Sequence, residues 1–314
     1  MMSDETALPA AAKPPSLARR ILFFPLTLML LAILVFAAGS LIATALLKLL
    51  PANRNSPWLF ANAAIVILTL AAAFRLFFHY LDREGAGLFD RRGWAKELLA
   101  GIAAGTLIFS AVVAVAAALG FYHVAGGSGL DTIWEPLIIA GLIAGFTEEL
   151  LFRGILFRYV EKAAGSWIAL ALTAALFGAA HLANPGASWF AAVAIAIEAG
   201  LLLGAVYMLT RRLWAVMGLH AAWNFTQGWI FGLPVSGTRG GIGLLNGRLD
   251  GPELMTGGAF GLEASLPGMA VATAAGIGVL IVAIRKGRVV APIWSRPKAD
   301  AAAGPPGEIP PPGT

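Results

Sequence analysis

Cysteine is absent from the 314 residues, which removes disulfides, thiolate metal sites and cysteine nucleophiles together. Charge is scarce as well: only 12% of residues are Asp, Glu, Lys or Arg, against roughly a quarter in soluble domains. Hydrophobic residues make up 59% and the mean hydropathy is +0.80. Together these exclude an ordinary soluble domain and imply a polypeptide integral to a membrane. The formal charge of +5 would suggest nucleic acid in a soluble chain. Here it reads as basic loops gathered on one side of a membrane, and no nucleic-acid partner is expected. Nothing at the N-terminus reads as a cleavable signal. The first apolar run, Ile21 to Leu47, is too long for a signal h-region and no small-residue cleavage site follows it.

What is there is a succession of apolar runs. A span needs about 20 predominantly apolar residues. Runs at Ile21–Leu47, Asn55–Phe74 and Leu98–Leu130 supply three, the last ending near Leu119. A fourth begins near Thr132 and runs into Glu148. The stretch Ala163–Ile197 is too long for one helix, and Asn184-Pro185-Gly186 breaks it into a fifth and a sixth, the latter over about Phe190 to Thr210. Leu213–Phe231 and Ala264–Ile284 complete eight. Residues 232–263 are Gly-rich and read as an extramembrane loop. The ends, 1–20 and 289–314, are rich in Pro, Ala and Gly and read as disordered. This divides the chain into 21–130 (N-terminal transmembrane helices), 131–231 (a polar-residue-bearing core), and 232–288 (the loop and the last span). With eight spans, alternate segments hold most of the 22 basic residues, from Arg19 and Arg20 through Arg83, Arg91, Arg92, Lys96, Arg153, Arg158, Lys162, Arg211 and Arg212 to Arg285 and beyond. The other segments keep only Lys48, Arg54, Arg239 and Arg248. By the positive-inside rule both termini are expected in the cytoplasm.

Ionisable side chains inside such runs cost a few kcal/mol or more, so they persist mainly where they pair, line a wet cavity or do chemistry. Three groups stand out: Glu148-Glu149 with Arg153, His181 in Phe177-Gly-Ala-Ala-His181, and His220 with Asn224 in His220-Ala-Ala-Trp-Asn224. Glu149 and Arg153 are spaced i, i+4 and can pair on one helix face. Glu148 points roughly 100° away, so one carboxylate can be tied up by Arg153 while the other faces a cavity, a division that suits a general base. Each group has a bland counterpart: an ion pair at a helix end, a hydrogen-bonded core His, or a His/Asn pair joining two helices. Two carboxylates, two imidazoles and a carboxamide in separate spans of one chain are nevertheless enough to activate a water and hold an oxyanion.

These residues resemble the CAAX protease and bacteriocin-processing family (CPBP, or Abi), which includes the type II CAAX prenyl endopeptidases. Its hallmarks, EExxxR, FxxxH and HxxxN, are matched by Glu148-Glu149-Leu-Leu-Phe-Arg153, Phe177 to His181, and His220 to Asn224. The flanking Gly200-Leu-Leu-Leu-Gly204 and Arg212-Leu-Trp214 also look like the family, and the resemblance covers about 135–230. It implies an all-α polytopic bundle of about eight transmembrane helices and an intramembrane endopeptidase acting on a prenylated or leader peptide. Glu148 would be the water-activating base with His181 as its partner. Glu149 and Arg153 would position that helix, and His220 with Asn224 would form the oxyanion hole. The family has been described both as metalloproteases and as metal-free glutamate proteases. Glu148, His181 and His220 would make an open zinc site, and the same groups work without metal, so the cofactor is either none or a divalent metal such as zinc. The expected partners are a peptide or protein substrate in the membrane and the lipid bilayer itself, and the expected location is a bacterial cytoplasmic membrane.

Alternatives weigh less. Gly126-Gly-Ser128-Gly129 fits the GxSG of rhomboid-type serine proteases, but it lies in a Gly-rich stretch with no evident helix to carry the serine. HExxH and GxGD do not occur. A non-catalytic scaffold or a transporter could use Glu198 in span six, whose bland reading is a Glu hydrogen-bonded to a neighbouring helix. A transporter should show an internal repeat with polar residues recurring in both halves, and here they concentrate in the second. One expectation carries a tension. The acidic pair falls at the inner end of span four and His181 near the outer end of span five, so either the span limits are off by a turn or two or a helix folds back within the membrane after Glu149. The second is expected, with Leu150–Lys162 part of a longer or tilted helix that alters the span count.

Overall fold

The computed structural model describes residues 16–50, 58–238, 240 and 243–296. It is an all-α polytopic membrane fold, with six helices long and apolar enough to cross a membrane. α1 (Leu17–Leu22) and α2 (Pro25–Leu47) lead into α3 (Trp58–Tyr80) and α4 (Trp94–Ala118). α5 (Ala144–Glu149) is continued at both ends by π-helical turns, Pro136–Ile143 and Leu150–Phe157, and runs on into α6 (Arg158–Ala180). α7 (Trp189–Ile195), a π turn (Ala196–Gly200) and α8 (Leu201–Thr210) form one further rod. α9 (Trp214–Phe225) ends in a π turn, Thr226–Ile230. α10 (Glu253–Thr256) is a short turn in the loop, and α11 (Leu266–Arg285) is the last rod.

Among the described residues, each of the eight expected segments is mostly helical. Two features separate them from the six: the 54-residue helical stretch Leu130–Ala183 is one candidate span but two rods, and α9 with its π turn falls short of the length criterion. The long stretch divides at Gly165, whose φ of 81° only glycine adopts cheaply. A Cβ there would also stand 2.8 Å from Val290 O and from Pro292 N.

Span four therefore does not end at Glu148. The π turns and the first residues of α6 carry the rod on to Gly165, so the acidic pair sits midway along it, and no helix folds back after Glu149. The depth mismatch with His181 came from the span limit drawn at the first charged residues. The chain ends also differ from expectation where they are described. Within 1–20, α1 is already helical from Leu17. Within 289–314, Val290 is buried, and its N–H donates to Ser166 Oγ at 2.8 Å. Residues 1–15 and 297–314, and with them Lys13 and Lys298, lie outside the described residues, as do Arg54 and Arg239.

The segments expected on one side of the membrane meet at one end of the bundle. Arg158 pairs with Asp82 at 3.1 Å and Lys162 with Glu84. Arg211 pairs with Glu161, and Arg212 with Glu97. At the other end, β1 (Tyr122–Val124) pairs antiparallel with β2 (Gly247–Leu249), and Asn184 Nδ2 donates to Ser236 O at 3.0 Å. The 232–265 loop is thereby drawn back over the bundle.

Small residues set the position of α9. Lipid tails are as apolar as leucine, so helices in a membrane associate by close packing, and Gly-x-x-x-Gly stripes let backbones touch. A Cβ on Gly101 or Gly105 of α4 would overlap the carbonyl oxygens of Ala215 and Leu219 in α9. On the other flank, Gly145 fits within 3.2 Å of Met217 O, and Gly141 within 3.5 Å of Ala221 O. α9 is clamped between two such stripes. We expect Gly105→Val to destabilise the protein by about 1–3 kcal/mol or more through overpacking, read as a lowered thermal midpoint in detergent. An unchanged midpoint would contradict this packing.

Candidate active site

Four π-helical turns flank the polar residues of the bundle. A π turn breaks the i→i−4 ladder locally, and such turns occur frequently at functional sites. Two of them supply carbonyls to the site: Arg153 Nη2 donates to Ala199 O at 3.3 Å, and Asn224 Nδ2 donates to Ala140 O at 2.9 Å.

Glu149 is 0% exposed and Arg153 1%, and they form the expected i, i+4 ion pair at 2.9 Å. The guanidinium also lies 4.7 Å from the centre of the Phe177 ring, a cation–π contact. Glu149 Oε1 accepts a second hydrogen bond, from His220 Nδ1 at 2.7 Å. That bond fixes the ring orientation of His220 and leaves Nε2 free. Nε2 in turn lies 3.9 Å from Glu148 Oε2. Glu148 keeps 34% of its side chain exposed, and its Oε2 has no hydrogen-bond partner among the described residues. One carboxylate is thus held and its neighbour is free.

The FxxxH motif has a physical reason here. His181 Nδ1 bonds the carbonyl of Phe177 at 2.7 Å, and a carbonyl can only accept. Nδ1 therefore carries the proton and Nε2 keeps a lone pair. The Phe177 ring lies 4.7 Å from the His181 ring and 6.1 Å from that of His220, so one phenylalanine orients both imidazoles and the arginine.

A small cavity with about 30 Å³ of water-accessible space opens among His181, His220, Asn224, Glu198, Ser236 and Glu263. That is room for one or two waters. Glu148 lies beyond its wall, behind His220, and no contact between Glu148 and His181 is present among the described residues. Glu198 does not follow its bland reading: it is fully buried and neither carboxylate oxygen has a hydrogen-bond partner. Sequence reasoning missed Glu263 and Ser236 altogether. The loop returns them to the cavity, where Glu263 Oε1 accepts from Ser236 N–H at 2.5 Å. The available signal was a lone Glu in Phe260-Gly-Leu-Glu263-Ala, immediately ahead of an apolar span. Ser128 donates its hydroxyl to Asn246 at 2.8 Å, in the loop end of the bundle and with no imidazole bonded to it.

Burial pushes the Glu263 carboxyl up to about 8, against the Ser236 N–H bond that pulls it down. A carboxyl raised in the fold binds its proton there more tightly than in the unfolded chain, so its contribution is complete below pH 4.5 and is lost as pH rises toward 8. The thermal midpoint should therefore fall between those values, and Glu263→Gln should flatten the fall. Equal slopes in both proteins would contradict the assignment.

Among the described residues no three His, Asp or Glu side chains converge as a metal site requires, Glu148, His181 and His220 included. This arrangement does not fit the zinc set that the resemblance allows, and no step below is routed through a metal.

The water-sized cavity thus sets two imidazoles, a carboxamide and two carboxyls among apolar side chains such as Leu202, Leu219 and Trp223, within a polytopic helical bundle. Residues 130–226 match the family model described as Type II CAAX prenyl endopeptidase Rce1-like, the family that the three motifs resemble, and the match supports an intramembrane endopeptidase in general. The match takes in all three motifs and leaves α2 to α4, the 232–265 loop and α11 outside. No curated protein and no solved structure gives a significant match.

Proposed function

We propose that this protein hydrolyses a peptide bond of a membrane-associated substrate, a prenylated or leader peptide, by direct attack of an activated water. The observation that carries the reading is the division between the two adjacent carboxylates. Glu149 is spent on Arg153 and His220, while Glu148 is free at 3.9 Å from His220 Nε2. One water can touch both groups across that gap.

Glu148 takes a proton from this water as its oxygen attacks the carbonyl carbon. His181 keeps its Nε2 lone pair on the cavity side, where it accepts from a second water. Asn224 spends one amide hydrogen on Ala140 O, which leaves the other for the oxyanion, next to His220. Water attacks directly, so no acyl-enzyme forms. Basic residues gathered at one end of the bundle favour a cytoplasmic placement of that end.

Comparative terminomics of host membranes tests this, with wild type against Glu148→Gln at matched protein levels. The expected result is a set of peptide termini present only with wild type. Identical termini, with both versions rescuing a deletion phenotype equally, would remove the peptidase reading.

A further inference from the structure

Glu198 and Glu263 are the groups that the water-activating machinery leaves unused. They come from different parts of the chain, a π turn in the rod before α8 and the loop before α11, yet both line the cavity that holds His181, His220 and Asn224. Glu198 is 0% exposed and Glu263 2%. Among the described residues both oxygens of Glu198 and Oε2 of Glu263 lack a hydrogen-bond partner, and no lysine or arginine lines the cavity.

The backbone is shaped to admit them. A Cβ on Gly268, in the first turn of α11, would stand 3.1 Å from Glu198 Oε2 and 2.9 Å from Glu263 O. A Cβ on Gly261 would stand 2.8 Å from Glu263 Oε2. Three buried, unpartnered carboxylate oxygens facing a water-sized space are costly unless something occupies it.

We propose that Glu198, backed by Glu263, is the general acid of the reaction, protonating the amine that leaves when the peptide bond breaks. This rests on the peptidase reading above. Peptide hydrolysis needs such a group, because an amide nitrogen leaves poorly as an anion. Two buried carboxyls in one small cavity, with no cation among its described lining, cannot both ionise, since desolvation and like charge act together. The pair therefore holds a proton in the cavity that His181, His220 and Asn224 also line. Burial, which puts Glu263 at about 8, keeps a proton available at neutral pH.

The balance closes. Water gives one proton to Glu148 as the new C–O bond forms. When the C–N bond breaks, its electron pair stays on nitrogen, and nitrogen takes the acidic proton of Glu198, which becomes a carboxylate. Glu148 then releases its proton to solvent from its exposed side, and the Glu198–Glu263 pair takes one proton from water entering the cavity, which restores both groups.

The test uses the peptide whose cleavage separates wild type from Glu148→Gln in the terminomics, made as the amide and as its 4-nitrophenyl ester. Nitrophenolate leaves without a proton, so the ester needs the base but not the acid. Glu198→Gln should lower amide cleavage about 100-fold or more and leave ester cleavage within about twofold of wild type, while Glu148→Gln loses both. Equal loss on both substrates, in protein with a wild-type thermal midpoint, would overturn the assignment and make Glu198 a positioning group. Unchanged amide cleavage would overturn it too. Should Glu198→Gln fail to accumulate, Glu198→Asp keeps the acid at a shorter reach and should still lower the amide-to-ester ratio. An unaltered ratio would count against the proposal. A wild type that cleaves neither substrate defeats the peptidase reading itself, which separates the two failures.

Discussion

Glu148→Gln is expected to lower peptide cleavage by about 10²- to 10⁴-fold, the contribution of a positioned general base, with no loss of thermal stability. The two halves of this expectation come from the same geometry. Glu148 keeps 34% of its side chain exposed, and its Oε2 accepts no hydrogen bond. An isosteric amide there leaves no charge unpaired and breaks no bond of the fold. What it removes is the lone pair that takes the proton from water. Purified proteins compared on one peptide, with thermal midpoints measured alongside, check both halves. A large fall in midpoint would mean that Glu148, like its neighbour, is structural.

Arg153→Ala is expected to act the other way round, costing about 3–5 kcal/mol of stability because it strands a buried carboxylate. Glu149 has no exposure and its ionic partner is Arg153 at 2.9 Å. The same Glu149 oxygen orients His220, and the guanidinium covers the Phe177 ring that His181 leans on. Activity should therefore fall together with membrane level, not at constant level. Glu149→Gln leaves Arg153 buried without its carboxylate and should be destabilising for the mirror-image reason. The double variant Glu149→Gln/Arg153→Ala should cost less than the sum of the two singles, since it removes both charges. Additive losses would show that the pair does not interact.

Much of this was legible in the sequence because membrane physics leaves few options. Eight apolar runs of span length became eight helical rods, and charge alternation foretold which loops share an end. Arg158 with Asp82 and Arg212 with Glu97 then joined segments far apart in the chain. The i, i+4 spacings of Glu149 with Arg153 and of Phe177 with His181 were readable because a helix fixes which side chains meet. The longer helix expected through Leu150–Lys162 is there too, since Arg153 is neutralised within the bundle and Arg158 at its end. Other features were not legible. The π turns leave no mark in the hydrophobic pattern. Glu263 reaches the cavity only because a Gly-rich loop turns back through Gly257, Gly258 and Gly261, all at positive φ, and no local periodicity reports a contact made by such a return. Arg153 was counted among the basic loop residues, but it belongs to the site.

The account stands most directly on one measurement: cleavage of the terminomics-identified peptide by purified wild type and Glu148→Gln in lipid nanodiscs, with matched folding and intact-mass analysis of acid-quenched protein. The account predicts cleavage by wild type alone and no acyl adduct on the protein. Cleavage by both proteins at similar rates, or an acyl adduct on a side chain of the wild type, would contradict water activation by Glu148.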